Sequence, residues 1–341
     1  PAGAAPLGTS RDSIELAEDR DRFDAMLDRL DLQRPASGIA RTQREALAIA
    51  DRIGYPVLVR PSYVLGGRGM EICPDAKALE HFVNNAIDVS GLDEAPILID
   101  KFLDGATEID VDVVADYPQA GDTADGQALV CGVMEHIEHA GVHSGDSSCC
   151  VPPWNLGHRL VERVKDVARS LARELRVCGL MNLQIALRDG ELFIIEVNPR
   201  ASRTVPFVCK AKGVAWASAA AKAMMGQSLA DQGIKEIAET GTFAVKAPVF
   251  PFQKFPGVDF VLGPEMRSTG EVMGLDLSMP MAYLKAMHAA GVAPAMEGGV
   301  FLSVRSDDKR SVIEIARSLV VMGYEVFTPA GTGHELERHG M

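Results

Sequence analysis

The stretch Leu180-Met181-Asn182-Leu183-Gln184-Ile185-Ala186-Leu187-Arg188-Asp189-Gly190-Glu191-Leu192-Phe193-Ile194-Ile195-Glu196-Val197-Asn198-Pro199-Arg200 decides how this chain is read. Two apolar runs, Leu180–Leu187 and Leu192–Val197, flank Arg188-Asp189-Gly190, the pattern of a β-hairpin. Asn182, Gln184, Glu196 and Asn198 are all even-numbered. A two-residue Asp189-Gly190 turn would put Gln184 and Glu196 on opposite faces. A three-residue loop, with Gly190 left-handed and closing a bulge, puts them together. On that second reading Gln184, Glu196 and Asn198 converge as hard oxygen ligands suited to magnesium with phosphate. The alternative is a solvated polar face on an ordinary hairpin.

Just downstream, Asn198-Pro199-Arg200-Ala201-Ser202-Arg203 places two arginines at a strand end, where a guanidinium pair can hold an anion bidentately. Upstream, Arg60-Pro61-Ser62-Tyr63-Val64-Leu65-Gly66-Gly67-Arg68-Gly69 is a strand running into a glycine-rich loop flanked by arginines. Such glycines let backbone N–H groups close over phosphates. The loop is neither a Walker A sequence nor a G-x-G-x-x-G dinucleotide loop. Its other reading is a plain hairpin tip. Between these segments, Glu135–Asp146 carries His136, His139 and His143. Three histidines invite zinc, but the spacing is not H-E-x-x-H and the glycine-rich end reads as loop. Glu138 and Asp146 could equally hold a cation or a cationic ligand.

The remaining pattern is mixed helix and strand. A polar helix is expected over Asp12–Leu30, and Thr42-Gln43-Arg44-Glu45 is a capping box opening a helix through Ile53. Val57–Val59 and Ile97–Ile99 read as strands, with a helix from Asp75 to Val89 between them. Thr107–Val113 alternates, with Glu108, Asp110 and Asp112 on one face. Asp116–Gln127 reads as a loop, Leu129–Ile137 as a strand, and Asn155–Arg176 as a long amphipathic helix. A helix near Trp216–Met225 and a strand near Phe243–Ala247 follow. Val300–Val304, Asp307–Met322 and Tyr324–Phe327 make a β-α-β opening that stops after one unit. Cys149-Cys150 and the methionines of Met279–Met296 read as packing.

The 341 residues predict two domains. A net charge of −13 argues against general nucleic-acid binding. No apolar run approaches ~18 residues, so no membrane span is predicted. The start lacks a signal-like pattern and an initiator methionine, which suggests a chain beginning inside a longer gene product. Six scattered cysteines without a C-x-x-C pair fit the reducing cytoplasm better than a disulfide framework or a zinc site.

Taken in order, Arg60–Arg68, Gly141–Ser147, Ile195–Thr204, Lys254-Phe255-Pro256-Gly257-Val258-Asp259 and Gly263–Gly274 resemble the large subunit of carbamoyl phosphate synthetase from about Gly8 to the C-terminus. Arg68 and the run Thr204-Val205-Pro206-Phe207 favour its second, carbamoyl-phosphate-forming half, truncated at both ends. The resemblance implies an α+β, ATP-grasp fold of two subdomains. It implies the end of a preceding domain and a helical linker over residues 1–30, and a small subdomain over 31–100. It further implies a large subdomain and connection over 101–293, then the start of an α/β methylglyoxal-synthase-like regulatory domain over 294–341. Nucleotide contacts would come from Arg22, Lys101, Leu103, Glu108 and Gly141-Val142-His143-Ser144, with Arg60 on the phosphates and Gly66, Gly67 and Arg68 as a lid. Gln184, Glu196 and Asn198 would hold two Mg2+ or Mn2+ ions, and K+ is a further candidate ion. Arg200 and Arg203, with Asn198, would serve carbamate and the transferring phosphoryl group.

The implied activity is ATP-dependent phosphorylation of carbamate, the last step of carbamoyl phosphate synthesis for pyrimidine and arginine pathways. The implied partners are the rest of the large subunit and a glutaminase small subunit, with no nucleic acid and no membrane. The alternatives are a biotin-carboxylase-like ATP-grasp carboxylate ligase and a catalytically incomplete ATP-binding fragment. Ala247 stands where the resemblance leads one to expect an acidic residue, which argues against ornithine activation.

Overall fold

The computed structural model describes residues 7–61, 69–90, 96–118, 125–239, 241–252 and 260–341. Gly66, Gly67 and Arg68, half of the Asp116–Gln127 loop and the Lys254–Asp259 motif therefore lie outside the described residues. The chain divides into two compact units, Pro1–Gly291 and Val292–Met341.

The first unit opens with α1 (Arg11–Glu18) and α2 (Arg20–Arg29) rather than one continuous helix. Asp19 breaks the run. It takes an extended conformation, and its carboxylate accepts from Arg22 N at 3.0 Å, capping α2. A short acidic side chain that can bond nearby backbone competes with helix continuation in this way.

A four-stranded antiparallel sheet follows, in the order β1 (Ser37–Ala40), β4 (Ile97–Lys101), β2 (Val57–Pro61), β3 (Glu71–Cys73). It packs on α3 (Gln43–Ile53) and α4 (Ala76–Ser90) through Val57, Val59, Ile97 and Ile99 against Ala46, Ala50 and Leu79. The capping box forms: Thr42 Oγ1 accepts from Glu45 N at 3.2 Å, while Glu45 reaches back to Arg41 N at 2.7 Å.

A seven-stranded sheet carries the rest of this unit. Its strands are β5 (Thr107–Asp116), β6 (Ala128–His139), β7 (Cys149–Val151), β8 (Cys178–Arg188), β9 (Glu191–Asn198), β10 (Phe243–Val249) and β11 (Gly270–Asp276), in the order β11-β10-β7-β6-β5-β8-β9. Alternation assigns Ile109, Val111, Val113, Leu183 and Ile185 to one face, where they bury against Val164, Ala168 and Leu171 of α5 (His158–Glu174). The other face is covered at one end by α6 (Val205–Lys212) and α7 (Trp216–Met224), with Val208 and Trp216 fully buried. Helix α8 (Met279–Ala289) packs on β10 and β11, and Ala247 is fully buried against its Ala282 and Ala286. An unpaired carboxylate at position 247 would be costly there.

The decisive hairpin differs from expectation in its turn. Arg188 faces Glu191, so the loop is the two-residue Asp189-Gly190, with φ of 53° and 84°. Both values suit a type I′ turn. The pairing then runs Leu187–Leu192, Ala186–Phe193 and Ile185–Ile194, but shifts to Gln184–Glu196 and Asn182–Asn198. Ile195 is the extra residue. The bulge lies in mid-strand, not at the turn, and it restores Gln184 and Glu196 to one face. The outer edge of β9 is met by Gln33, whose carbonyl accepts from Ile194 N at 2.8 Å.

The second unit pairs β12 (Gly299–Phe301) with β13 (Glu325–Phe327) in parallel, joined through α9 (Lys309–Val321), and adds α10 (Ala330–Arg338). Its core is Val312, Ile313, Ala316 and Leu336. The first strand is shorter than the expected Val300–Val304, and α10 adds to the β-α-β pattern read from the sequence.

Gly190→Ala forces a side chain into the left-handed region and is expected to cost about 1–2 kcal/mol. Urea denaturation checks this; an unchanged midpoint would reject the turn assignment.

Candidate functional site

Register across the large sheet builds a polar band on the face away from α5. Lys246 on β10 faces Cys149 on β7, which faces His136 on β6. On the neighbouring strands Asp110 faces Gln184, which faces Glu196. A second row runs Asp112, Asn182, Asn198.

His136 Nε2 lies 2.9 Å from Asp110 Oδ2, and both side chains are only 2% exposed. Burial pushes the His136 imidazole down, but the Asp110 bond and the charges of Asp110 and Glu108 outweigh it and raise its pKa. Burial likewise pushes the Asp110 carboxyl up, and His136, then Lys246, bring it below its ordinary value. Lys246 is itself buried and donates to Ser144 O at 3.0 Å.

The loop holding Gly141, Val142, His143 and Ser144 is tied down on several sides. Glu108 Oε1 accepts from Gly141 N at 3.2 Å, and burial raises the Glu108 carboxyl. Burial lowers the His143 imidazole, whose Nδ1 accepts from Gly145 N at 3.0 Å. Asp146 is fully buried and accepts from Arg267 N at 2.7 Å and Ser268 N at 2.8 Å. Glu138 accepts from Ser148 N at 2.6 Å. Gly141 has φ of 105°, and a Cβ there would stand 2.9 Å from the Phe102 ring and 3.1 Å from Ile72 of β3. Only glycine lets this loop lie so close to the small sheet.

At the strand end, Asn198 Nδ2 donates to Glu196 Oε1 at 2.7 Å, and Arg200 Nη2 donates to Asn198 Oδ1 at 3.2 Å. Glu196, Arg200 and Arg203 are exposed, while Gln184 and Asn198 are half-buried. Arg203 donates to the Met266 sulfur. One carboxylate and two side-chain amides share this face at an open strand end, a donor set that suits a hard divalent cation keeping other ligands from phosphate. Among the described residues, no cluster of three or more His, Cys, Asp and Glu could hold a metal. His136, His139 and His143 do not form one.

Asp112 is a buried anchor of this site that motif reading misses, although its alternation with Glu108 and Asp110 is the available signal. It is fully buried, accepting from Thr204 Oγ1 at 2.6 Å and Asn182 Nδ2 at 3.0 Å. Ser202 Oγ lies 2.7 Å from Thr204 Oγ1, so one carboxylate anchors the turn that carries Arg200 and Arg203. Burial, against those hydrogen bonds, pushes Asp112 to about 6.

The remaining expected residues each have partners of their own. Lys101 Nζ donates to Gly54 O at 3.0 Å and Tyr55 O at 2.7 Å, and burial lowers its pKa. Leu103 is buried with Ala106 and Ala186 at the start of the large sheet. Arg60 Nε lies 3.6 Å from Asp100, which also pairs with Arg20. Arg22 instead bonds Asp12 at 2.9 Å. The structure thus groups Arg20, rather than Arg22, with Arg60. A surface depression of about 600 Å3 along α5, lined by His158, Arg159, Glu162 and Arg163, lies beyond the sheet's other face and shares none of these residues.

The family model for the carbamoyl-phosphate synthase L chain, ATP binding domain, matches residues 19–232. The chain belongs to this family. The carbamoyl phosphate synthase large chain of Myxococcus xanthus is 50% identical over 340 residues, covering 100% of this chain and 31% of that protein. The large chain of Archaeoglobus fulgidus is also 50% identical, over 341 residues, again with 31% of its length covered. The chain therefore spans about a third of these relatives. Among solved structures, biotin carboxylase of Campylobacter jejuni aligns with a TM-score of 0.58 at 18% identity, covering 72% of this chain and 53% of that one. The biotin carboxylase domain of Hydrogenobacter thermophilus 2-oxoglutarate carboxylase gives 0.57 at 21% identity, covering 71% and 52%. These likenesses bear out the α+β ATP-grasp fold and the resemblance read from the motifs. No helix among the described residues is long and apolar enough to cross a membrane.

The raised Asp112 carboxyl has a definite sign. Between its unfolded value near 4 and about 6 the folded chain binds the extra proton, so this group's contribution to stability falls as pH rises through that window. Asp112→Asn should therefore gain on the unmodified chain by about 3 kcal/mol between pH 4 and pH 7. Denaturation curves across that range test it, and a constant difference would refute the raised carboxyl.

Proposed function

We propose that this chain is an ATP-grasp phosphotransferase module that binds ATP with Mg2+ and phosphorylates carbamate to carbamoyl phosphate. One observation carries the reading: the register that sets Gln184 opposite Glu196, beside the turn bearing Arg200 and Arg203. Identity of 50% to large chains of carbamoyl phosphate synthase over the whole chain supports it.

Gln184, Glu196 and Asn198 would hold Mg2+, or Mn2+ through the same donors. When bound, the ion neutralises charge on the nucleotide phosphates. Arg200 and Arg203 offer guanidinium groups to the carbamate and to the phosphoryl group in transfer. A carbamate oxygen forms the new bond to the γ-phosphorus as the bond to the ADP oxygen breaks. Such transfer asks for positioning and charge more than for a general base, so no residue is assigned that role. Glu108, Lys101, Leu103 and the tied-down Gly141–Ser144 loop cluster where the two sheets meet, which supports a nucleotide seat there. Arg60 would face the phosphates, joined by Gly66, Gly67 and Arg68.

The two sheets support a division into residues 31–100 and 101–293, and the separate unit from Val292 supports a partial regulatory domain over 294–341. The reading brings with it the rest of a large subunit, a glutaminase small subunit, K+ and a cytoplasmic setting. The fold likeness to biotin carboxylases favours a second reading, a ligase acting on another carboxylate.

The intact large subunit containing this segment should form ATP from ADP and carbamoyl phosphate with Mg2+. Glu196→Ala in it should lower that rate by about a hundredfold or more and remove most of the Mg2+ dependence of ADP affinity. Absence of ATP formation by the unmodified subunit with ADP and Mg2+ bound would sink the carbamate assignment. ADP release driven by a different carboxylic acid would establish the second reading.

A further inference from the structure

Asp110 stands at the centre of the polar band with one oxygen used and one not. Its Oδ2 takes the His136 bond, whereas Oδ1 is buried and accepts no hydrogen bond of normal geometry. A buried carboxylate oxygen without a donor is costly. Three strands bear on where a donor could come from. On β6, the only His136 atom near a carboxylate besides Nε2 is Nδ1, 3.5 Å from Glu108. On β10, Lys246 donates to the Ser144 carbonyl. On β8, Gln184 is the direct register partner of Asp110, on the same face of the sheet.

A glutamine amide has two unlike ends. If its NH2 points at a carboxylate, its oxygen must point away from it. From position 184, away from Asp110 is toward Glu196 on β9, the register partner on the far side. We infer that Asp110 is a positioning residue, whose Oδ1 accepts from the Gln184 amide and so turns the Gln184 oxygen toward the cation shared with Glu196 and Asn198. This rests on the metal assignment of the proposed function. His136 then has a second role: by occupying Oδ2 it leaves only Oδ1 to face β8.

An amide–carboxylate exchange tests this. In Asp110→Asn the new oxygen stays with His136 and the new NH2 replaces Oδ1, so two NH2 groups oppose one another. Gln184 must turn over and present its NH2 to the cation. In the double variant Asp110→Asn/Gln184→Glu the bond is restored in reverse: the introduced amide at position 110 donates, and the introduced carboxylate at position 184 keeps an oxygen for the metal. The readout is the gain in ADP affinity on saturating the chain with Mn2+, measured by calorimetry, so turnover is not required. Asp110→Asn should reduce that gain by about ten- to a hundredfold, the usual scale for a group that orients a ligand. The double variant should return to within about threefold of the unmodified chain.

If Glu196→Ala leaves the gain intact, the metal reading fails and takes this inference with it. If Glu196→Ala abolishes the gain but Asp110→Asn does not, the inference alone is overturned. Loss in Asp110→Asn without recovery in the double variant also overturns it, since a purely structural role through His136 predicts that result. The unmodified chain gives an independent reading that needs no folded Asp110 variant. The side-chain NH2 resonance of Gln184, identified by its disappearance in Gln184→Met, should be protected from solvent exchange; rapid exchange overturns the inference.

Discussion

Between Ile194 and Glu196, strand β9 holds one residue more than its partner β8 requires. Without a bulge at Ile195, period-two alternation from the Asp189-Gly190 turn would pair Ile195 with Gln184 and send Glu196 to the opposite face of the sheet. With it, Ile194 still buries against the α5 core at 2% exposure, Ile195 is left 44% exposed, and Glu196 and Asn198 turn to the polar face. One bulge thus keeps the apolar face packed while Glu196 and Asn198 take the polar face. The bends and extra twist of such bulges are usual beside sites that need a side chain aimed.

The polar face pays for its position in desolvation. Asp110, Asp112, His136 and Lys246 are all nearly or fully buried. Buried charges of this kind seldom add net stability, and their geometry has value only if nearly every polar atom is bonded. Here the bonds are directional. Asp112 holds Thr204 and Asn182, and through Thr204 the turn into α6 that carries the two arginines. Asp110 holds His136. Asp112 is thus a fixed point for the turn that carries the exposed Arg200 and Arg203.

The same logic extends to the loop between β6 and β7. Asp146 binds two backbone N–H groups of the segment before β11, Lys246 binds the Ser144 carbonyl, and Glu108 binds Gly141 N. Gly141, pressed on Phe102 and Ile72, brings this loop against the small sheet. The meeting place of the two sheets is therefore built from backbone as much as from side chains, and Glu138 and Asp146, read as candidates for a cation or a cationic ligand, each accept from backbone N–H groups here.

Local pattern was enough for much of this. The alternation of Thr107–Val113, the capping box at Thr42, the hairpin and the ordered motif set could be read directly, because each depends on near neighbours in the chain. The grouping of Gln184, Glu196 and Asn198 was also legible, though for the wrong reason. Bulge position depends on which side chains the α5 core accepts, and no local count of loop residues contains that. Arg20, and not Arg22, meets Asp100 because two residues two apart on α2 point to different sides of the helix. The roles of Asp112 and Asp110 are contacts across about 26 to 92 residues of sequence. By itself, then, the sequence determined the elements, the family and the candidate ligand residues. Only the tertiary structure decided which face each of these residues takes and which buried carboxylate stands opposite it, because packing and register are set between strands and not along them.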